Sequence, residues 1–251
     1  CHEESGNTDD AITGAVWDPS VPFRRRRIVE DVAAAVLCPG AGWQIDVADH
    51  ADFNPGTGPF GFMGWVRFVY VNYPYLFCRS DVGYTAGWVV YGNADGTLSF
   101  GSKEGAGQTN FATTARLLAT CWSHVAFIRT ASDHRIHINA GPPAISTGIA
   151  RNLDVAAALR FGRRYDGNYP ASGCAYDDFV WCKGTPFTWD EIEAHYYDGI
   201  TPTCPGGSVQ IGWGMRETSG LVAASSPAGY DGLLSADSHT TATRCHKRNA
   251  A

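Results

Sequence analysis

Two carboxylates at alternate positions of one strand would share a face, where one could act as nucleophile and the other as general acid on a glycosidic bond. This chain holds no such run. Asp46 and Asp49 are three apart and Asp177 and Asp178 are adjacent, so on strands the members of each pair point to opposite faces. Glu191 and Glu193 fall in a helical segment. Nucleophilic chemistry finds no better footing, for there is no GxSxG elbow and no HExxH pair. Cys121 and His124 in CWSHV are three apart, as are His134 and His137 in DHRIH. The two histidines fail as paired metal ligands for the same reason and are expected at the surface. These spacings predict a protein that is not an enzyme.

The eight cysteines are Cys1, Cys38, Cys78, Cys121, Cys174, Cys182, Cys204 and Cys245. An even count with no CxxC pair reads as disulfides rather than zinc. Disulfides imply export, so the expected location is extracellular or the cell surface. Opening on Cys1 rather than Met fits cleavage of an export signal; lipoprotein processing would also leave a cysteine there. Cys174 and Cys182, eight apart on one extended strand, are too far apart to bond to each other.

The elements that must position these residues are strands. Hydrophobic residues at 44% and aromatics at 12% supply a core, which excludes global disorder. Twenty-nine glycines and 13 prolines favour short strands joined by turns. Apolar runs read as strands at Ile12–Trp17, Val32–Leu37, Trp43–Val47, Phe60–Tyr70, Gly87–Tyr91, Thr97–Phe100, Trp122–Arg129, Arg135–Asn139, Leu159–Gly162 and Tyr176–Trp181. Asn93-Ala94-Asp95-Gly96 should join two of them as a hairpin, because Asp-Gly supplies the positive φ a tight turn needs. One helix is expected near 188–198, with Thr188 and Glu191 as a capping box and Gly199 as its stop. The sum is all-β: a two-sheet antiparallel jelly-roll sandwich with one short helix. Its divisions are an N-terminal arm and entry strand (1–30), the sandwich (31–204) and a tail (205–251) carrying a closing or donated strand. A net charge of −6 argues against a general nucleic-acid binder, and no apolar stretch approaches the ~18 residues of a membrane span.

From Trp43 the sequence WQIDVADHADFNPGTGPFGFMGWVRF resembles the laminin-G-like jelly rolls of the concanavalin A-like lectin/glucanase superfamily. YGNADGTLSF, CWSHVAFIR, RIHINAG, LRFGRR, GCAYDDFVW and FTWDEIEAHYYDG follow in the family's order, over roughly residues 30–200. The ends depart from it. SGNTDDAITGAVW (residues 5–17) resembles the second half of the family's opening strand, and GWGMRETSGLVAASSPAGYDGLL (residues 212–234) resembles its first half. One outcome is a tail that folds back on its own sandwich or opens a degenerate second repeat. The other is a tail that completes a neighbour's by strand addition, with Trp213 buried against a different chain and Cys1 or Cys245 locking the joint.

The resemblance implies further expectations. A cofactor is not required, but jelly rolls of this type often hold calcium in oxygen-rich loops; DVADHADFN and YDDF are the candidates, with Asp177 the residue to test. The alternative for Asp177 is a buried carboxylate bonded to loop amides. A cysteine on the "Gly-Cys" strand often bonds to one just past the last strand, which implies Cys174 with Cys204. Trp43, Tyr70, Tyr73, Tyr75 and Trp88 are mostly core by their alternation, whereas Tyr165 and Tyr169 lie in a loop and are the candidate sugar contacts. Arg24–Arg27 is followed by Glu30 and Asp31 and reads as a solvated loop or subunit contact. The function expected is a non-enzymatic extracellular subunit assembling head to tail with copies of itself through its terminal segments. The alternative is a carbohydrate-binding or adhesion module.

Overall fold

The computed structural model describes residues 26–38, 44–67, 73–147, 151–168, 170, 174–204, 209–213, 222–223, 225–226, 230–234 and 239–249. Its strands are β1 (Arg26–Cys38), β2 (Ile45–Val47), β3 (Phe60–Arg67), β4 (Tyr75–Ser80), β5 (Ala86–Gly92), β6 (Thr97–Glu104), β7 (Gly107–Arg116), β8 (Trp122–Arg129) and β9 (Asp133–Ile138). Then come β10 (Ala144–Thr147), β11 (Leu159–Phe161), β12 (Cys174–Lys183), β13 (Val209–Trp213), β14 (Val222–Ala223), β15 (Ser225–Ser226), β16 (Gly232–Leu234) and β17 (His239–Asn249). The helix α1 spans Trp189–Asp198. One sheet runs β10-β9-β8-β3-β12-β1-β17, with β13 added to β12 and β15 to β13. The other runs β14-β16-β2-β11-β4-β5-β6-β7. The pairings are antiparallel, giving the jelly-roll sandwich its alternation of inner and outer residues.

That alternation builds the core. Ile45, Phe161, Phe77, Val90, Phe100 and Phe111 are successive cross-strand partners of the second sheet and form its inner row. Phe62 of the first sheet meets them, its ring 5.3 Å from Phe77 and 5.8 Å from Phe161. The outer side of the first sheet has a smaller core, where Ile192 of α1 and Phe187 pack with Met63, Ala126 and Val180. Gly61 is a necessity there: a Cβ would stand 2.5 Å from the Phe187 ring.

Local expectations hold well. Gly96 turns at φ +86° and β5 pairs with β6. Thr188 and Glu191 form the capping box of α1, and Gly199 ends it in the left-handed region. The strands β4, β7 and β10 were not legible as runs, because YLFCRS, GQTNFATTAR and AIST lack a long apolar stretch framed by turn residues. Arg26 and Arg27 open a strand rather than sit in a loop, because Arg26–Val36 pair residue by residue with β17. β1 runs across residue 30, and β13 lies beyond residue 204 yet belongs to the first sheet. Arg24, Arg25 and the expected strand Ile12–Trp17 lie outside the described residues, as do Cys1, Trp43, Tyr70 and Tyr169.

Of the two outcomes open for the tail, this chain has Trp213 in its own sandwich. β1 pairs only with the Cys174–Tyr176 end of β12, which leaves the edge from Phe179 to Lys183 open. The chain's own β13 fills it, and Trp213 packs in its own core at 6.0 Å from the Phe53 and Phe161 rings. Its indole N–H donates to the Tyr230 carbonyl at 2.8 Å.

The cysteines also need correction. Cys204 bonds to Cys182, not Cys174. Cys174 and Cys182 stand about 26 Å apart along β12, and the register shift between Asp177 and Val180 puts them on opposite faces: Cys174 in the core between the sheets, Cys182 in the outer cluster with Ile192 of α1 and Cys204. Cys78 was expected in a disulfide but is a free, buried thiol, its S–H donating to the Arg163 carbonyl at 3.3 Å. Cys121 is disulfide-bonded. Cys174 is buried opposite Cys38 in the ladder, and Cys245 lies on β17 opposite Glu30.

Candidate functional site

The outer row of the second sheet reads Asp46, Arg160, Cys78, Val89, Gly101, Asn110 across β2, β11, β4, β5, β6 and β7. Two loops fold over it. The first, Asp81–Thr85, is a turn built on one carboxylate. Asp81 accepts from the Thr85 and Ala86 amides at 2.6 and 3.3 Å and from the Thr85 hydroxyl. Burial pushes that carboxyl up, but the Thr85 bonds outweigh it and hold it below its ordinary range. Tyr84 takes φ +47° in this turn and lays its ring on the sheet. Gly101 makes room for it, since a Cβ there would stand 2.8 Å from the Tyr84 hydroxyl.

The second loop follows β11. Arg160 holds it by donating to the Tyr165 carbonyl at 2.9 Å while its Nε donates to Asp46 at 2.6 Å. Tyr165 stacks on Tyr84 with ring centres 5.3 Å apart, and the Arg164 guanidinium lies over Tyr165 and Tyr75 at 5.2 and 5.6 Å. Tyr75 stacks in turn on Tyr91 at 5.3 Å. Tyr75 therefore belongs to an outer aromatic layer rather than the core, whereas Trp88 is core as expected. Hydrogen bonds from Arg164 and Asn168 hold the Asp166 carboxyl well below its ordinary range, which locks the turn.

Between the loops lies a cavity of about 330 Å³, lined by Cys78, Ser80, Asp81, Val82, Arg160, Tyr165 and the alanines 156–158. That is the small end of the ~300–1,000 Å³ of small-molecule sites. Val82, in this lining, is an apolar side chain 76% exposed. Tyr165 is the sequence-derived sugar contact that the fold brings to this cavity. Val82, Tyr84 and Arg160 were missed, because nothing in DVGYT or LRFGRR marks residues 81–85 as a cover for 160–165.

The other candidates fall elsewhere. Asp177 is fully buried within β12, opposite Trp65. In DVADHADFN, Asp46 bonds Arg160 and Asp49 bonds Arg79 at 2.7 Å. Among the described residues, no three His, Cys, Asp or Glu side chains converge to hold a metal. His134 and His137 are buried rather than surface residues, since β9 is an inner strand between β8 and β10. Burial lowers the His134 pKa to about 4. His124 meets His195 of α1 at 2.8 Å, and Asp178 stands 3.8 Å from His195. Both rings are fully buried, so this line tethers α1 to β8 and is closed to substrate.

Two packed antiparallel sheets, one capped helix and a loop-walled aromatic cavity define a lectin-like β-sandwich. Residues 40–193 match the Laminin_G_3 family of the concanavalin A-like lectin/glucanases superfamily, and the chain belongs to this family. No curated protein matches it. Among solved structures it is similar to a Bacteroides ovatus protein described as a candidate carbohydrate binder: TM-score 0.63, 14% identity, covering 86% of this chain and 62% of that one. A heptameric SAP-like pentraxin from Limulus polyphemus gives TM-score 0.54 and 14% identity, over 73% of this chain and 93% of that one. The binding domain of Paraclostridial Mosquitocidal Protein 1 gives 0.55 and 16%, over 70% and 46%. The chain spans less than two thirds of the first and third of these.

Proposed function

We propose that this chain is an exported, non-catalytic module that binds a small sugar in the cavity between residues 81–85 and 160–165. The carrying observation is the exposed Val82 and the half-buried Tyr165 ring set beside the polar Ser80 and Arg160 around one small cavity. A sugar ring asks for that mixture, an apolar face on an aromatic and hydroxyls on fixed polar groups. The similarly folded Bacteroides ovatus protein, described as a candidate carbohydrate binder, supports the reading. So does the Cys182–Cys204 disulfide, which suits an oxidising compartment. Among the described residues no helix is long and apolar enough to cross a membrane. Catalysis has no support at this site, because hydrolysis needs two facing carboxylates and the cavity lining holds only Asp81, already bonded to Thr85. The reading needs no cofactor.

A glycan array probed with the full chain tests it. Binding should appear and drop at least about tenfold in Tyr165→Ala, the loss of roughly 1.4 kcal/mol of stacking. A blank array, or binding indifferent to Tyr165→Ala, refutes the site. Self-association is the second reading. Its support is the open edge of β7, since the C-terminal strands β13 and β17 already pair within the chain.

A further inference from the structure

Among the described residues five strands end the sheets or their side branches. β10 has four residues and β14 and β15 have two each, too short to template a partner strand. β17 has eleven, but its sequence carries Arg244, His246, Lys247 and Arg248, and basic residues on an edge deter pairing. β7 is different. From Gly107, opposite Glu104, to Ala112, opposite Ser99, it runs in unbroken register with β6 and pairs with no other described strand. This stretch holds no charge and no proline. Its register shifts only beyond Ala112. The neighbouring β10 pairs with β9 alone, and Arg151 bonds a side chain, Thr109 Oγ1 at 3.0 Å, rather than the main chain.

We infer that two copies of this chain pair through Gln108–Ala112 of β7, antiparallel about a two-fold axis, joining their eight-stranded sheets into one. The charges select a second copy in this orientation. Glu104 stands at the start of the stretch and Arg116 ends the strand, so an antiparallel copy brings each acidic end toward its partner's basic end. A parallel copy would set like against like. Centred on Asn110, the pairing places Gln108 opposite Ala112 and Thr109 opposite Phe111, with no charge facing a charge. The rest of an acidic chain, at net −6, repels its copies, which leaves this uncharged edge as the line of approach.

Residues opposed in a ladder lie on the same side of the sheet, so both cavities fall on one face of the joined sheet. From β4 through β5, β6 and β7 and out again to the partner's β4 is about seven strand spacings, or ~34 Å. A twist of roughly 20° per strand turns the cavities away from each other. Such a dimer would bridge two ligand chains rather than grip one twice. The pairing itself does not rest on the glycan reading, and its test needs no ligand.

Sedimentation of the full chain provides that test. The chain should sediment at twice its own mass at high concentration and dissociate on dilution. Asn110→Lys/Ala112→Lys should sediment as a single chain with an unchanged far-UV spectrum, because both side chains are exposed. Asn110→Glu/Ala112→Glu should do the same. Mixing the two variants should restore the doubled mass, which a misfolded variant could not do. A single-chain mass at every concentration, a doubled mass that survives the lysines, or growth beyond the dimer would each overturn the proposal.

Discussion

Replacing Trp213 by Ala tests whether β13 closes its own sandwich. Trp213 is 1% exposed, stacks on Phe53 and meets Phe161 edge-on. Truncating a buried ring of this size costs about 3–5 kcal/mol in lost transfer energy and residual cavity. Losing the indole hydrogen bond to the Tyr230 carbonyl adds about 1 kcal/mol. The expected loss is therefore about 4–6 kcal/mol, a large share of the ~5–15 kcal/mol that holds a domain together. Trp213→Phe keeps most of the ring and should lose only about 1–2 kcal/mol. The assay is urea unfolding in the Asn110→Lys/Ala112→Lys background, so that association through β7 does not enter. If β13 belongs to its own chain, the midpoint in that background is independent of protein concentration. A midpoint that climbs with concentration means a strand supplied by another chain. That result, or a loss in Trp213→Ala under about 1 kcal/mol, would refute the reasoning.

Three further outcomes are expected. With its folded pKa lowered to about 4 from 6.5 by burial and then by Arg129, His134 binds fewer protons in the fold than in the unfolded chain. Its stabilising effect is complete above pH 6.5 and drains as pH falls toward 4, by roughly 2 kcal/mol at about pH 5, and His134→Asn should flatten that slope in urea titrations. The Cys78 thiol, pushed up to about 12 by burial, should resist alkylation at neutral pH until the chain is denatured; mass mapping that finds it labelled in the native protein contradicts the buried assignment. Thr188→Ala removes the hydroxyl that accepts from the Glu191 amide, leaves the Thr188 N–H bond to the Glu191 carboxylate, and should lower stability by about 1 kcal/mol, whereas Cys182→Ser, opening a loop of 22 residues, should lower it by about 3 kcal/mol.

The sequence by itself determined what neighbouring residues decide among themselves. The period of two over TLSF fixes which side chains face inward whatever the strand's partner is. The Asp-Gly turn and the Thr188–Glu191 box close within three or four residues and need no tertiary help. Tyr165 was legible as a loop aromatic for the same reason. Only the tertiary structure decided the rest, because those choices join residues that local chemistry cannot bring together. Tyr75 faces outward because the Arg164 loop covers it. Cys78 stays a thiol because Arg163, 85 residues away, supplies a carbonyl instead of a second sulfur. Asp46 anchors the cavity's arginine across 114 residues, and His124 finds His195 across 71. Period and turn chemistry say which face a residue takes; strand order, which follows from packing the whole chain at once, says what stands opposite it.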